Sequence, residues 1–92
     1  MSHEQTIWRL AVSRHAPAAE AATEITRGLE HGDELVRECA AIAAEWFFAS
    51  ATRIKEYPAL WSALCAAAIS DHASEVRRRA AECVHQHDET HP

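Results

Sequence analysis

This chain predicts an all-α fold of about five helices in antiparallel pairs, and three observations carry the prediction. Alanine, the best helix former, dominates the composition, while glycine and proline contribute only two and three residues. Runs of β-branched residues are absent. Apolar residues recur three and four positions apart along most of the chain, the period of a helix with one buried face. The 92 residues allow a single domain, here taken as 1–92. A chain of this size buries roughly 60–65% of its unfolded surface, so modest stability is expected.

The first helix is expected over residues 3–14. Ser2 and Gln5 have the spacing of a capping box, and Ile7, Trp8, Leu10, Ala11 and Val12 give it a wide apolar face. Pro17 opens a second helix that runs to about Glu30, with Ala18, Ala22, Ile25 and Leu29 on its apolar side. Gly32 is placed for a left-handed C-terminal turn, and Asp33 for capping the next helix.

That next helix is the longest, from Asp33 to as far as Lys55. It carries two apolar stripes, one through Val36, Ala40, Ala43 and Phe47, the other through Cys39, Ile42, Trp46 and Ala49. Two stripes cover more than the single face an ordinary surface helix buries. Glu56-Tyr57-Pro58 ends it. The fourth helix, Pro58 to Ser70, has no charged residue. Ser74 is expected to cap a fifth helix over about 75–85, where Glu75 can pair with Arg78 and Arg79, and Arg78 with Glu82. The polar tail, 88–92, is expected to fray.

Composition narrows the function classes. Apolar residues make up 48% of the chain, which excludes a disordered polypeptide. The formal charge is −5, and the nine basic residues are scattered apart from Arg77-Arg78-Arg79, which argues against nucleic acid. Plainly read, Arg78 and Arg79 form a solvated face with their glutamates. The three cysteines, Cys39, Cys65 and Cys83, are widely spaced with no C-x-x-C pair, as suits buried thiols in a reducing, cytoplasmic setting. The N-terminal residues do not read as a signal peptide, and no apolar run approaches the roughly 20 residues that span a bilayer.

The two halves repeat. Val36, Arg37, Ala40 and Ala41 recur at one constant offset as Val76, Arg77, Ala80 and Ala81, and Pro17 recurs as Pro58. A helix pair repeated at a period of about 40 residues is the mark of an α-solenoid. On these residues the chain resembles the HEAT-repeat family, including its short bacterial HEAT-like relatives. Its units would be 17–55 and 58–87, with the 3–14 helix as a cap. The second unit carries the resemblance best, through Pro58, Leu60, Leu64, Ile69, Asp71, Val76, Arg77, Ala80 and Val84. The first departs from it, with His31 in place of the turn aspartate. The resemblance implies a right-handed α–α superhelix fragment, a binding role without catalytic residues, and a pairing of Asp71 with Arg77.

Two units are fewer than a solenoid normally needs to cover its faces, so self-association, as a homodimer, is expected. Trp46, Phe47 and Phe48 are successive residues about 100° apart around a helix, so they cannot share one face. Together with Trp61 and Trp8 they are the candidate protein-interface residues. No catalytic motif is present, and the chain is expected to be no enzyme. Cys83, His85 and His87 are two apart and point to opposite sides of a helix, while His87 and His91 are only a weak metal-ligand pair. No metal or cofactor is expected. The leading reading is a small protein-binding module of the adaptor, inhibitor or immunity type. The competing reading is a helical bundle that binds a metal or small ligand between its third and fourth helices.

Overall fold

In the computed structural model the described residues are 18–49 and 56–87. They form four α-helices and no strand: α1 (Ala18–Leu29), α2 (Glu34–Ala49), α3 (Pro58–Ser70) and α4 (Ser74–His87). The helix expected over 3–14, the continuation of α2 beyond residue 49 and the tail 88–92 lie outside the described residues.

Short turns fold α2 back on α1 and α4 back on α3. The two pairs lie side by side, α1 against α3 and α2 against α4. The shared core is made by Ala21, Ile25, Leu29, Val36, Ala40, Ala43, Leu60, Leu64, Val76, Ala80 and Cys83, all buried. Alanines at Ala40, Ala43, Ala44 and Ala80 let helix backbones approach closely, and the larger Ile25, Leu60 and Leu64 fill the space between them.

The turns repeat the sequence symmetry atom by atom. In the first, the Asp33 amide donates to His31 Nδ1 at 3.0 Å. In the second, at the repeat offset, the Ala73 amide donates to Asp71 Oδ1 at 2.9 Å. His31 thus does with a ring nitrogen what Asp71 does with a carboxylate. Arg37 Nη1 donates to the carbonyl of His31, six residues back, at 3.0 Å. Arg77 Nη1 donates in the same way to the carbonyl of Asp71 at 2.6 Å.

Four expectations need correction here. The carboxylate of Asp71 pairs with Arg37 of the other helix pair, while Arg77 holds only the Asp71 carbonyl. The reason is placement: both carboxylate oxygens of Asp71 already accept from Arg37, across the seam between the helix pairs, and one also from the Ala73 amide. Gly32 has no left-handed φ; the α1 end closes instead through three-residue bonds from Glu30 and His31. Ser74 is the first residue of α4 and not its cap, because the Asp71 carboxylate takes the preceding amide, that of Ala73, and starts the helix there. Finally, α4 runs two residues past the expected end, to His87. The cap at Asp33 is as expected, its Oδ1 accepting the Leu35 amide at 2.9 Å.

The Arg37–Asp71 pair is bidentate, Nε to Oδ2 at 2.9 Å and Nη2 to Oδ1 at 3.3 Å, and its side chains are only 15% and 7% exposed. Arg37 also donates to the carbonyls of His31 and Gly32, so one guanidinium ties the first turn to the second. By contrast the Glu75–Arg78–Glu82 pairs lie in solvent; the Arg78 hydrogen bond holds Glu75 below the usual carboxylate range. Arg79 does not join them, and its Nε is buried without a hydrogen-bond partner.

Asp71→Ala is therefore expected to cost about 3 kcal/mol in urea unfolding, the scale of breaking a shielded ion pair from one side. Asp71→Asn, which keeps the Ala73 cap, is expected to cost less. Arg78→Ala should leave the midpoint almost unmoved. Equal effects at positions 71 and 78 would show that the two turns are not clamped by this pair.

Cys83 supplies a pH test. Burial, with the charges of Glu45 and Cys65 behind it, pushes its thiol up from about 9 to about 12. Between these values the unfolded chain has shed the proton and the native chain has not, so the native state binds more protons and stability falls as pH rises. Urea titrations should show Cys83→Ala and the natural chain differing by a constant below about pH 9. Above it the natural chain should lose about 1.4 kcal/mol per pH unit relative to the variant.

Candidate protein-docking face

The three successive aromatics divide as the helical step demands. Phe47 and Phe48 are buried in the chain's own core, and Trp46 is 53% exposed. Phe47 meets Phe48 edge to face at 5.4 Å and Tyr57 at 5.1 Å. Phe48 meets Trp61 at 5.9 Å and the His87 ring at 6.1 Å. This cluster joins the end of α2 to the start of α3 and the end of α4; the Phe47–Phe48, Phe47–Tyr57 and Phe48–Trp61 pairs meet edge to face, and the His87 ring is tilted against Phe48. Phe47 and Phe48 therefore belong to internal packing and not to an exposed face, and Trp61 is half-buried behind Phe48. Trp8 lies outside the described residues.

Trp46 does not stand alone. Leu35 is 61% exposed, and Cys39 and Ile42 between them are half-buried. Positions 35, 39, 42 and 46 fall within about 60° of one another around a helix, so they make one stripe three turns long. The opposite side of α2 carries Arg37, Ala41, Ala44 and Phe48, and this side touches the second pair at both ends, through Asp71 and through Trp61 and His87. Glu34, Glu38 and Glu45 run beside the exposed stripe and give it an acidic border.

Helix pairing does not require this stripe. Its repeat equivalents in α4 are Glu75, Arg79, Glu82 and Gln86, all polar. The sequence pattern names Cys39, Ile42 and Trp46 but passes over Leu35, which sits one turn earlier at the same spacing.

Of the residues matched between the two halves, Val36 and Val76 are buried; Arg37 and Arg77 build the turns with Asp71, Arg77 on the Asp71 carbonyl and not on its carboxylate. The uncharged α3 is not enclosed: Leu60, Leu64 and Ala67 are buried, while Ile69 is 81% exposed. Among the described residues no three histidine, cysteine or carboxylate side chains are placed to hold a metal ion. His87 lies against Phe48, and its proposed companion His91 lies outside the described residues.

Two open clefts run along α3, one against α1 and the other where the α1–α2 turn and Arg37 of α2 meet the end of α3. The larger, about 450 Å³, is lined by Ala22, Thr23, Thr26, Tyr57 and Leu60. Both threonine hydroxyls donate within their own helix, at 3.0 and 2.7 Å, while Arg27, paired with Glu24, and Glu56 also line the cleft. No helix among the described residues is long and apolar enough to cross a membrane. In comparison with known proteins, no family model, curated protein or solved structure matches the chain.

Stability separates the two kinds of aromatic. Phe48→Ala should cost about 3–5 kcal/mol, the range for emptying a buried phenylalanine site. Trp46→Ala should leave the thermal midpoint within a few degrees of the natural chain. A large loss at position 46 would place Trp46 in the core and remove it from any docking face.

Proposed function

We propose that this chain is a small protein-binding module, a two-unit α-solenoid of the HEAT-like kind, whose docking face is the stripe Leu35–Cys39–Ile42–Trp46 on α2. One observation carries the reading: two large apolar side chains, Leu35 and Trp46, stand exposed at the two ends of one stripe at positions that are polar in the repeated helix. Exposed apolar groups in line, bordered by charge, are the make-up of an interface core and its rim. Trp46 is the anchor, with a large rigid area to bury. The acidic border of Glu34, Glu38 and Glu45 favours a partner with an apolar ridge flanked by lysine or arginine. The work assigned to the chain is holding that partner, as an adaptor or inhibitor does, with no reaction of its own.

The test uses the full chain as bait in extract of its own host, beside Trp46→Ala and Leu35→Ser. Both variants should keep the helical spectrum and lose the same captured protein. A specific partner held equally by all three baits would refute this face. Phe48→Ala makes a poor control, since it weakens the fold itself.

A further inference from the structure

We infer that the chain's own N-terminal stretch, residues 3–14, lies along the Leu35–Trp46 stripe, so that an outside partner docks by displacing it. The inference rests on the reading of that stripe given above and adds how access to it is regulated.

The point where the chain enters the described structure sets the reach of this stretch. α1 and α2 are antiparallel, with Leu29 and Glu34 on either side of their turn. Counted away from that turn along both helices, Ala18 stands level with Glu45, beside the Trp46 end of the stripe. Residues 15–17 form a link about as short as the turn between α1 and α2, and Pro17 interrupts the helical pattern there. A stretch folded back at this link runs along α2 from Trp46 toward Leu35. Wound as the helix its spacing predicts, residues 3–14 measure about 18 Å, and Leu35 to Trp46 about 16 Å. In that register Arg14 falls beside Glu45, Ile7 and Trp8 beside Cys39, and the start of the stretch beside Leu35.

The described helices hold a neighbour in this way once already. α4 runs parallel to α2, with Asp71 ahead of its start bonded to Arg37 and His87 at its end against Phe48. The stripe lies about 180° round α2 from Arg37, Ala41, Ala44 and Phe48. The N-terminal stretch, also parallel to α2 in the register above, flanks it on that second side.

Surface and charge agree. Ile7, Trp8 and Ala11 fall on one side of a helix, with Leu10 and Val12 at its edges, an apolar face to set on Leu35, Ile42 and Trp46. α1–α2 carries seven carboxylates against two arginines, while residues 1–17 carry two arginines against one carboxylate. The cleft between α1 and α3 also opens near Ala19, but Arg27 and Glu56 line it with balanced charge, and it lacks the acidic border that would select a basic stretch. On so short a tether the stretch is present at roughly millimolar effective concentration, so modest affinity keeps it seated.

Directed cross-linking in the full chain tests the placement. Cys65→Ala removes the other half-buried thiol. In that background Ile7→Cys should form a disulfide with the native Cys39 under mild oxidation, identified by peptide mapping. Arg9→Cys, about 200° further round the same helix, should react far more slowly. Rates that are equal, as a loose tail gives, or faster at position 9 overturn the inference.

A second assay reads displacement. A labelled peptide of residues 1–17 should bind Trp8→Glu, whose own stretch is dislodged, and bind the natural chain at least about tenfold more weakly. Adding Trp46→Ala to Trp8→Glu should abolish that binding. Equal binding to the natural chain and Trp8→Glu, including none to either, or binding indifferent to Trp46→Ala, overturns the inference. As bait in host extract, Trp8→Glu should take more of the protein whose capture needs Trp46 and Leu35. If that capture is found while positions 7 and 9 react alike, the docking face stands and only the seated stretch is refuted. If position 7 reacts selectively and no capture depends on Trp46, the stretch is a permanent part of the fold, and regulation falls together with the docking reading.

Discussion

The guanidinium of Arg37 is the point on which the described fold turns. It takes two carbonyls of its own turn and both oxygens of Asp71, a residue 34 positions away. A buried ion pair adds little net stability compared with apolar packing of the same volume, because desolvation offsets the attraction. What this one supplies is register. An arginine committed to two carbonyls can meet a carboxylate in only one place, so the second helix pair has one seat on the first.

Packing fills in around that seat. Small residues on α2 and α4 allow close approach, and a cluster of Phe47, Phe48, Tyr57, Trp61 and His87 gathers at the far end of the helices. The separation of Trp46 from its two aromatic neighbours follows. Once Phe47 faces the core and Phe48 the second pair, the helical step leaves Trp46 on the outside. Exposure of Trp46 is thus a geometric consequence of burying the other two, and Leu35 extends it into a stripe because it lies three turns earlier on the same line.

Much of this is legible in the sequence, and the limits have physical causes. Helix type, the four described helices and the repeat of the helix pair follow from alanine content, proline positions and spacing, which are local properties. The Asp33 cap is local too. The partner of Asp71 is not: the sequence offers Arg77 one turn and a half away, and only the placement of two helix pairs brings Arg37 nearer. Gly32 reads as a left-handed turn residue, but the turn closes through hydrogen bonds from Glu30 and His31 with no such φ. Spacing alone shows that three consecutive aromatics must diverge; it cannot say which one leaves the core, because that depends on which side of α2 each neighbour occupies. An uncharged helix leaves open whether it is enclosed or offers a contact; Ile69 is exposed, on a side of α3 that the described residues leave uncovered.

The two fastenings between the helix pairs lie at opposite ends of the seam. Arg37 and Phe48 stand three turns apart on α2, about 16 Å along the axis. A seam pinned at one point can pivot, and the angle between its halves then drifts with temperature and load. A seam pinned at both ends resists rotation in its plane. The two pairs consequently move as one stiff plate, and the line from Leu35 to Trp46 keeps its straightness before anything touches it. A surface that is already rigid loses little freedom on contact, so what it gains from a partner is retained as affinity.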